Sequence, residues 1–495
     1  MKNSEISNEY LSLVKENVDS LKQDFESHLL ERDQQIRYLL DYQGNIMLKD
    51  LQIKNPEIFL NKEQRTNFIL ESRNESIIQK TLSNEMKTIQ QPLFFSQEDK
   101  NNFEVFSNIL FNLMDKIYIL YKNNKTIRDL FHLDQLTEEF VLVEQDYSVN
   151  FPIARLDIFF TSESEFKLCE INADASSGRL RDKTLAKYLY STQVISDLKR
   201  KYILESYSII DNLVEECLRI YSKYVELHSA PVLPNVLLLD PLETNESEET
   251  NLILNAFRNY GLNTFIVNQY SLSELYFIDD KIYFKGNEIN LVFKDIVNEK
   301  LILNYANSEK LLIALKNDMV CLVGNIKSEI FDNKILFSVL HNHLLQEFLT
   351  ESEKEFIIKY IPYSFNCEMD NLVLKNEVLS NKDRFVMKAI DSFQSKGIYI
   401  GKKCSRRDWD IIVNECWNER YIVQEFIPTM LDSFIFFENE ERLGGLLNDE
   451  FRTVIGLFFY NQKFSGIYSR ASRDLMVTGS EKDYFIGSIF YKPIV

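Results

Sequence analysis

Two short polar segments in the middle of the chain combine residue types that can bind a metal ion and a phosphate. Arg155 and Asp157 lie two residues apart, and Glu170 and Asn172 follow with the same spacing. Alternate residues of a β-strand point to the same face, so each pair presents its two side chains together. Residues 161–165 are polar and turn-like, which predicts a hairpin with Asp157 opposite Glu170. The same register places Arg155 opposite Asn172, with roughly 4.5–5.5 Å between opposed Cβ atoms.

Opposed carboxylates repel each other and need a proton or a cation between them. Mg²⁺ prefers carboxylate and amide oxygens and bridges phosphates, so we expect Asp157, Glu170 and Asn172 to bind it. An ordinary hairpin with ion pairs among Arg155, Asp157 and Glu170 would present the same residues, and this alternative stays open.

Three later segments could hold a nucleotide, although the sequence has neither a GxxxxGK[ST] loop nor a GxGxxG fingerprint. Lys334 opens a predicted helix, Lys388 ends a predicted strand, and 392–397 follows as a flexible loop. Backbone N–H groups at the tip of such a loop can contact phosphates. The strand at 421–425 ends before Pro428, and its freed backbone groups could hydrogen-bond an adenine edge.

The elements that must position these residues begin with a mainly helical region over 1–135. Apolar side chains recur at helical spacing over 5–42, and Ser96 with Asp99 forms the capping box of a second predicted helix. The pattern becomes strand-like at 140–143. The N-terminal stripes are typical of core packing, and we assign them no chemistry.

The rest of the chain alternates strands and helices and indicates an α/β (α+β) protein. A long helix is predicted over 181–227. Short apolar strands alternate with a helix over 230–325, which predicts a small Rossmann-like unit. The last third begins with a helix near Asn333. The other predicted strands lie at 152–172, 236–240, 264–267, 289–293, 384–390, 397–401, 420–426 and 451–469, and the shorter helices at 247–260 and 405–418.

Composition narrows the classes of partner. The 495 residues carry a net charge of −19, which disfavours nucleic acid and anionic membranes and would attract polyamines or basic peptides. The six cysteines include no CxxC pair, so neither a zinc ribbon nor a dithiol site is indicated. No window reaches the ~18 apolar residues of a membrane span. We therefore expect a cytoplasmic protein with reduced thiols.

The order of these segments resembles the ATP-grasp fold, and specifically the circularly permuted branch that contains glutathionylspermidine synthetase. The likeness covers about 140–475, and its most specific motif is R-x-D-x(12)-E-x-N, here residues 155–172. In ordinary ATP-grasp enzymes the lysines and the phosphate loop precede the E-x-N strand. Here E-x-N precedes Lys334 and Lys388, as in the permuted group.

The resemblance implies a carboxylate–amine ligase that uses ATP and two Mg²⁺ ions and forms an acyl phosphate. Asp157, Glu170 and Asn172 would be the metal ligands. Arg155 and Arg470 would contact the transferred phosphate or acyl phosphate, since 464–470 resembles the strand that brings a late arginine to the active site. The residues that would bind ATP are Lys334, Lys388, Ser392, Ser395, Gly397, Gln424, Glu425, Phe426 and Ile427.

The implied domains after the helical region are metal-binding strands with a helix at 136–229, a Rossmann-like pre-ATP-grasp unit at 230–330, a nucleotide-binding lid at 331–430 and C-terminal strands at 431–495. The chain departs from the family at three points. It has Lys388-Ala389 where the family often has Lys-Pro, and its lid contains less glycine. It is also expected to lack the amidase domain that is fused to some members.

Several alternatives remain open. The substrates would be small carboxylates and amines, such as amino acids, peptides or polyamines, and the amine could lose its proton to Glu144, Asp174 or water. A thiol, a carrier protein or a tRNA-linked group could replace the amine, the last using the basic residues at 402–407. The chain could also be a non-catalytic nucleotide-binding protein derived from this fold.

Overall fold

The structure, a computed structural model, describes residues 87–494 except 163, 174, 192, 241–247, 368–370, 391, 393–395, 438–445 and 480–481. Within this part of the chain the strands form four sheets with helices packed around them, so the mixed α/β class expected from the sequence is confirmed. Every helix in the same ranges is too short or too polar to serve as a membrane span.

The first stretch contains the polar hairpin β2–β3. One strand and three helices precede the hairpin, and three helices and one strand follow it. Its elements are β1 (Lys87–Ser96), α1 (Gln97–Asn123), α2 (Lys125–Asp129), α3 (Gln135–Val141), β2 (Ile153–Phe160), β3 (Phe166–Asn172), α4 (Arg179–Ser191), α5 (Gln193–Leu198), β4 (Tyr202–Glu205) and α6 (Ile209–Leu227). The capping box is confirmed: the Asp99 N–H donates to the Ser96 hydroxyl at 3.1 Å, and the Ser96 N–H donates to the Asp99 carboxylate at 2.7 Å.

Three elements correct the predictions for this stretch. β1 lies in the region expected to be mainly helical, and it forms because it pairs in parallel with the last strand of the chain. Residues 140–143 were expected to be extended, but Phe140 and Val141 end α3, whose first turn Asp134 caps. The helix expected over 181–227 is interrupted by β4, which pairs with the same last strand. The helix expected over 5–42 lies outside the described residues.

Residues 236–323 contain a parallel sheet. Its elements, with a three-stranded antiparallel side sheet, are β5 (Val236–Asp240), α7 (Glu248–Asn259), β6 (Thr264–Asn268), β7 (Tyr276–Ile278), β8 (Lys281–Phe284), β9 (Asn287–Glu288), β10 (Leu291–Lys294), α8 (Asn298–Leu303), α9 (Tyr305–Lys316) and β11 (Cys321–Val323). The parallel strands follow the order β11–β10–β5–β6. The predicted strands at 236–240 and 264–267 and the helix at 247–260 are confirmed in place, whereas the strand expected from 289 begins at Leu291.

Residues 329–425 build an antiparallel sheet in the order β12–β15–β13–β14, close to the predicted elements. The elements are α10 (Glu329–Asp332), α11 (Ile335–His341), α12 (His343–Gln346), α13 (Glu351–Tyr360), β12 (Ser364–Asn366), α14 (Leu372–Ser380), β13 (Phe385–Ala389), β14 (Ile398–Ile400), α15 (Arg406–Cys416) and β15 (Tyr421–Glu425). Short 3₁₀ turns lie at Ser271–Glu274, Ile326–Ser328, Lys382–Arg384 and Gly401–Lys403. Trp409 and Trp417 form the core between α15 and this sheet.

The C-terminal strands complete the largest sheet. They are β16 (Leu431–Phe437), β17 (Leu446–Tyr460), β18 (Lys463–Ser472) and β19 (Tyr484–Pro493). The sheet runs β1–β19–β18–β17–β2–β3, with β16 paired to β17 and β4 to β19. The single strand expected over 451–469 is therefore the β17–β18 hairpin. Even-numbered residues of β2, such as Leu156 and Ile158, share a core with α1, so Arg155 and Asp157 project from the other face of the sheet.

Candidate active site

The polar hairpin has the register expected from the sequence. In the pairing of β2 with β3, Arg155 lies opposite Asn172 and Asp157 lies opposite Glu170. The regular register is interrupted after Asp157, between the polar pairs and the apolar end of the hairpin. β17 pairs with the other edge of β2, and β18 follows β17 in the sheet, which brings Arg470 to the same face.

Arg155, Asp157 and Arg470 form a buried cluster on this face. Arg155 Nε lies 2.6 Å from Asp157 Oδ1, Arg155 Nη2 lies 3.1 Å from Oδ2, and Arg470 Nη2 also donates to Oδ2. Arg155 Nη1 donates to the Ser177 carbonyl oxygen at 2.6 Å. Burial disfavours a charged carboxylate, but the two arginines outweigh it and lower the pKa of Asp157 to about 2. Two guanidinium groups share this carboxylate, and the nearby Glu170 carboxylate brings the formal charge of the four groups to zero.

A glycine makes room for this cluster. Gly456 of β17 pairs with Asp157 of β2. A Cβ atom at Gly456 would stand 2.8 Å from Arg155 Cδ, 3.0 Å from Asp157 Oδ1 and 3.1 Å from the Tyr468 carbonyl oxygen. The sequence reasoning missed this residue, whose only signal is a glycine inside an otherwise apolar strand, typical of a close approach.

A cavity of about 630 Å³ lies between the largest sheet and the antiparallel sheet that carries β13 and β15. It gathers polar residues that are far apart in the sequence. The predicted site residues that line it are Arg155, Glu170, Asn172, Lys334, Lys388, Gln424, Glu425, Phe426, Ile427 and Arg470. Asp157 lies behind this lining and is fully buried.

The two predicted lysines make different contacts: Lys388 reaches the acidic hairpin, and Lys334 contacts the loop that follows β13. Lys388, on β13, places its Nζ 3.5 Å from the carbonyl oxygen of Cys169, the residue before Glu170. Lys334 lies at the start of α11, and its Nζ donates to the Ser392 carbonyl oxygen at 2.5 Å. Both lysines and Glu170 line the same cavity.

The predicted phosphate loop connects β13 to β14. The Ser392 hydroxyl donates to the Lys396 carbonyl oxygen at 2.5 Å, and the Ala389 N–H donates to the Gly397 carbonyl oxygen at 3.0 Å. A proline in place of Ala389 has no N–H and could not make the second bond. Gly397 has φ +66°, which favours glycine. Ser395 lies outside the described residues.

The strand β15 supplies the other end of the cavity. Gln424 is buried, and its Nε2 donates to the Ser364 hydroxyl at 3.0 Å. The Phe426 N–H donates to the Arg384 carbonyl oxygen at 2.7 Å, so in this conformation it is not a donor for a base. The apolar side chains of Val386, Ile398 and Phe426 line the same region and suit a planar ring.

The donor set for a cation is smaller than the sequence predicts. Glu170 and Asn172 line the cavity, and Asn172 Nδ2 lies 3.5 Å from Glu170 Oε1, so a carboxylate and an amide oxygen suited to Mg²⁺ lie together. Asp157 has both oxygens engaged by arginines, and an ion could reach it only if one guanidinium gave up its contact. In the described ranges, no group of three or more His, Cys, Asp or Glu could hold a metal ion.

Several cavity residues were missed, among them Asp332, directly before Asn333, and Lys396, inside the predicted loop at 392–397. Asp332 accepts a hydrogen bond from the Ala173 N–H at 2.7 Å, and burial raises the pKa of its carboxyl to about 6. Lys300 and Lys396 add a third and a fourth lysine to the lining. Of the bases considered from the sequence, Glu144 is held by Lys122 and Lys327 and does not line the cavity. Asp174 is not among the described residues.

The basic run at 402–407 is largely engaged within the protein. Lys403 pairs with Asp474 at 2.6 Å, and Arg406 lies 3.1 Å from Asp410. Lys402 lies over the Phe426 ring, 5.7 Å from its centroid.

No family model and no curated protein sequence matches this chain. Among solved structures, it is similar to a glutathione synthetase-like effector from Globodera pallida at 11% identity, with 81% of this chain and 90% of that chain covered and a TM-score of 0.49. A protein from Methylobacillus flagellatus KT assigned as a gamma-glutamylcysteine synthetase has 10% identity, coverage of 75% and 84%, and a TM-score of 0.34. D-alanyl-alanine synthetase A from Vibrio cholerae has 9% identity, coverage of 52% and 89%, and a TM-score of 0.26. Likenesses of this size do not establish a shared fold.

Proposed function

We propose that this chain is an ATP-dependent ligase that activates a small carboxylate as an acyl phosphate and transfers the acyl group to an amine, releasing ADP and phosphate. One observation carries the proposal. Glu170 and Asn172, Arg155 and Arg470, and Lys334 and Lys388 come from three distant parts of the chain and line one cavity. A triphosphate and a carboxylate need this combination of oxygen ligands and fixed positive charge.

The proposed fold is a circularly permuted ATP-grasp with the domain division expected from the sequence. The parallel sheet at 236–323 would be the pre-ATP-grasp unit, and the antiparallel sheet at 364–425 would cover the nucleotide. Support comes from the position of the cavity between that antiparallel sheet and the acidic hairpin.

In this proposal the lysines bind the ATP phosphates, and the arginines bind the phosphoryl group as it is transferred. Lys334 and Lys388 hold the ATP phosphates, and the backbone of 392–397 closes over them. When bound, Mg²⁺ would neutralise phosphate charge at Glu170 and Asn172. Arg470 and Arg155, held in place by Asp157, face the charge that develops on the transferred phosphoryl group and on the carbonyl oxygen.

The bonds change in two steps. A carboxylate oxygen of the donor acid attacks the γ-phosphorus, the bond from that phosphorus to the bridging oxygen breaks, and ADP leaves. The amine nitrogen then attacks the acyl carbon, the bond to the phosphate oxygen breaks, and the amine loses a proton. Closure of the 392–397 loop would keep water from the acyl phosphate.

The end of the cavity formed by β13, β14 and β15, the nucleotide end, would bind the adenine ring. Val386, Ile398 and Phe426 offer apolar surface, while Gln424, Glu425 and the backbone at Ile427 offer polar groups. Because the Phe426 N–H already donates to Arg384, the adenine edge would have to use other backbone groups of this bend.

The test is a coupled ADP-release screen over amino acids, small peptides and polyamines, with products identified by mass spectrometry. Glu170→Gln should abolish Mg²⁺-dependent ADP formation without unfolding the protein. The matched control is Glu165→Gln, an exposed glutamate in the turn of the same hairpin that does not line the cavity. Wild-type turnover in Glu170→Gln would remove the assignment. ATP binding without ADP release for any acid and amine would favour the non-catalytic alternative.

A further inference from the structure

The end of the cavity that contains Arg470 has a buried hydrogen-bond donor without an acceptor. Arg470 is 7% exposed, and its Nε has no hydrogen-bond partner, whereas its Nη2 donates to Asp157. A buried donor without an acceptor is costly, so this nitrogen favours an anion beside it. A carboxylate is an anion of the right size to accept from this donor.

The wall beside Arg470 is apolar. Val454 of β17 pairs with Arg470 of β18, and its side chain lines the cavity. Leu475, Met476 and Val477 follow β18 and line the same cavity. Val454 lies directly opposite Arg470, and Gly479, two residues after Val477, lies against the Arg470 side chain, so the wall runs beside this arginine.

The segment that carries this wall is held at both of its ends. At its start, Asp474 pairs with Lys403 at 2.6 Å. At its end, Asp483 Oδ2 accepts from the Thr478 N–H at 2.6 Å, the Thr478 hydroxyl at 2.9 Å and the Gly479 N–H at 2.6 Å. Both carboxylates near the wall are thus already engaged, and neither is a natural partner for a charged substrate.

Gly479 brings the end of this segment against the arginine. Its φ is +76°, and a Cβ atom there would stand 3.3 Å from Arg470 Cδ and 3.4 Å from Arg470 Nη1. A side chain at this position would therefore press on Arg470, and glycine lets the segment that follows the apolar wall pack against the arginine.

On the basis of the function proposed above, we infer that the donor acid carries an uncharged, apolar side chain next to its carboxylate. The carboxylate would lie at Arg470 while the side chain packs on Val454, Leu475, Met476 and Val477. On these four side chains a polar or charged group of equal size would lose its water without gaining a partner. Apolar acids of this size, such as leucine, are therefore the expected substrate class, and isosteric polar acids such as asparagine and aspartate are disfavoured.

The experiment compares leucine, asparagine and aspartate as donors, with hydroxylamine as a small common nucleophile and ADP and hydroxamate as readouts. A hydrophobic pocket discriminates by about 10–200-fold for each methylene group. Leucine should therefore exceed asparagine and aspartate in kcat/KM by at least about 10-fold. Equal or better use of the polar acids, with ADP release intact, would overturn the inference and leave the ligase function standing. No ADP release with any acid would instead count against the ligase function.

A substitution in the apolar wall distinguishes an effect on this pocket from a general effect on the enzyme. Met476→Lys should lower kcat/KM for leucine and raise it for aspartate, because the new ammonium can pair with the second carboxylate. Ile411→Lys, at an exposed apolar position of α15 outside the cavity, should change neither. Calorimetric titration of leucine and asparagine into the protein with a non-hydrolysable ATP analogue gives a readout that does not depend on turnover. Tighter binding of asparagine there would also overturn the inference.

Discussion

Replacing Gly456 by alanine should separate the geometry of the arginine cluster from the stability of the sheet. The added Cβ would stand 2.8 Å from Arg155 Cδ, closer than such contacts allow. Arg155 cannot move away freely, because three of its hydrogen bonds, to Asp157 and Ser177, hold its guanidinium. The partner strand cannot yield easily either, since the Tyr468 carbonyl oxygen lies 3.1 Å from the same Cβ.

The expected cost follows from these contacts. Overpacking of a well-packed interior typically costs about 1–3 kcal/mol of unfolding free energy. A misplacement of the guanidinium by ~1 Å would reduce turnover by roughly 10²-fold. Urea unfolding measures the first effect, and ADP release at saturating ATP measures the second.

Gly261→Ala is the matched control. Gly261 has φ +75° and nothing within 4 Å of a built Cβ, so alanine there adds backbone strain of about 1–2 kcal/mol without touching the cavity. Both variants should lose stability, but only Gly456→Ala should lose turnover. Full activity in Gly456→Ala would show that the position of Arg155 beside Asp157 does not matter for the reaction.

Two further variants test other parts of the site. Asp474→Ala breaks an exposed pair with Lys403, so unfolding free energy should change by less than about 1 kcal/mol, while KM for the donor acid rises because the apolar wall loosens. An unchanged KM would argue against a role for that pair. Asp157→Asn leaves two buried arginines short of a counter-charge and should cost on the order of 3–5 kcal/mol at pH 7. Because the pKa of Asp157 is lowered to about 2 in the folded protein, its contribution is present above the unfolded value and is lost as pH falls toward 2. The difference in urea midpoint between wild type and Asp157→Asn should therefore shrink between pH 4 and pH 2, and a constant difference would contradict the pKa argument.

Local sequence was sufficient for the elements whose partners are close in the chain. The Asp157–Glu170 register follows from a hairpin with a short polar turn, since the turn length and the alternation of side chains leave one pairing with the apolar face inward. The Ser96–Asp99 capping box is likewise contained within one helical turn. The mixed α/β class could be read from the same local patterns.

The other elements were determined by packing and strand pairing with segments that are distant in the sequence. β1 and β4 are strands because both pair with β19, and no pattern within either segment reveals that edge. Residues 140–143 looked extended by composition, yet α3 continues through Val141 because its buried face packs in the main core. In each case the free energy of tertiary pairing or burial exceeds the small local preference of the segment.

The amino-acid sequence alone determined which residue types are available and how the acidic pair is aligned on its hairpin. The tertiary structure decided that Arg470 shares Asp157 with Arg155, that Lys388 reaches the strand carrying Glu170, and that Gly479 lies against Arg470. The physical reason is that these contacts depend on how the sheets are assembled, and hydrogen bonds between remote strands are not encoded in the spacing of residues along any one of them.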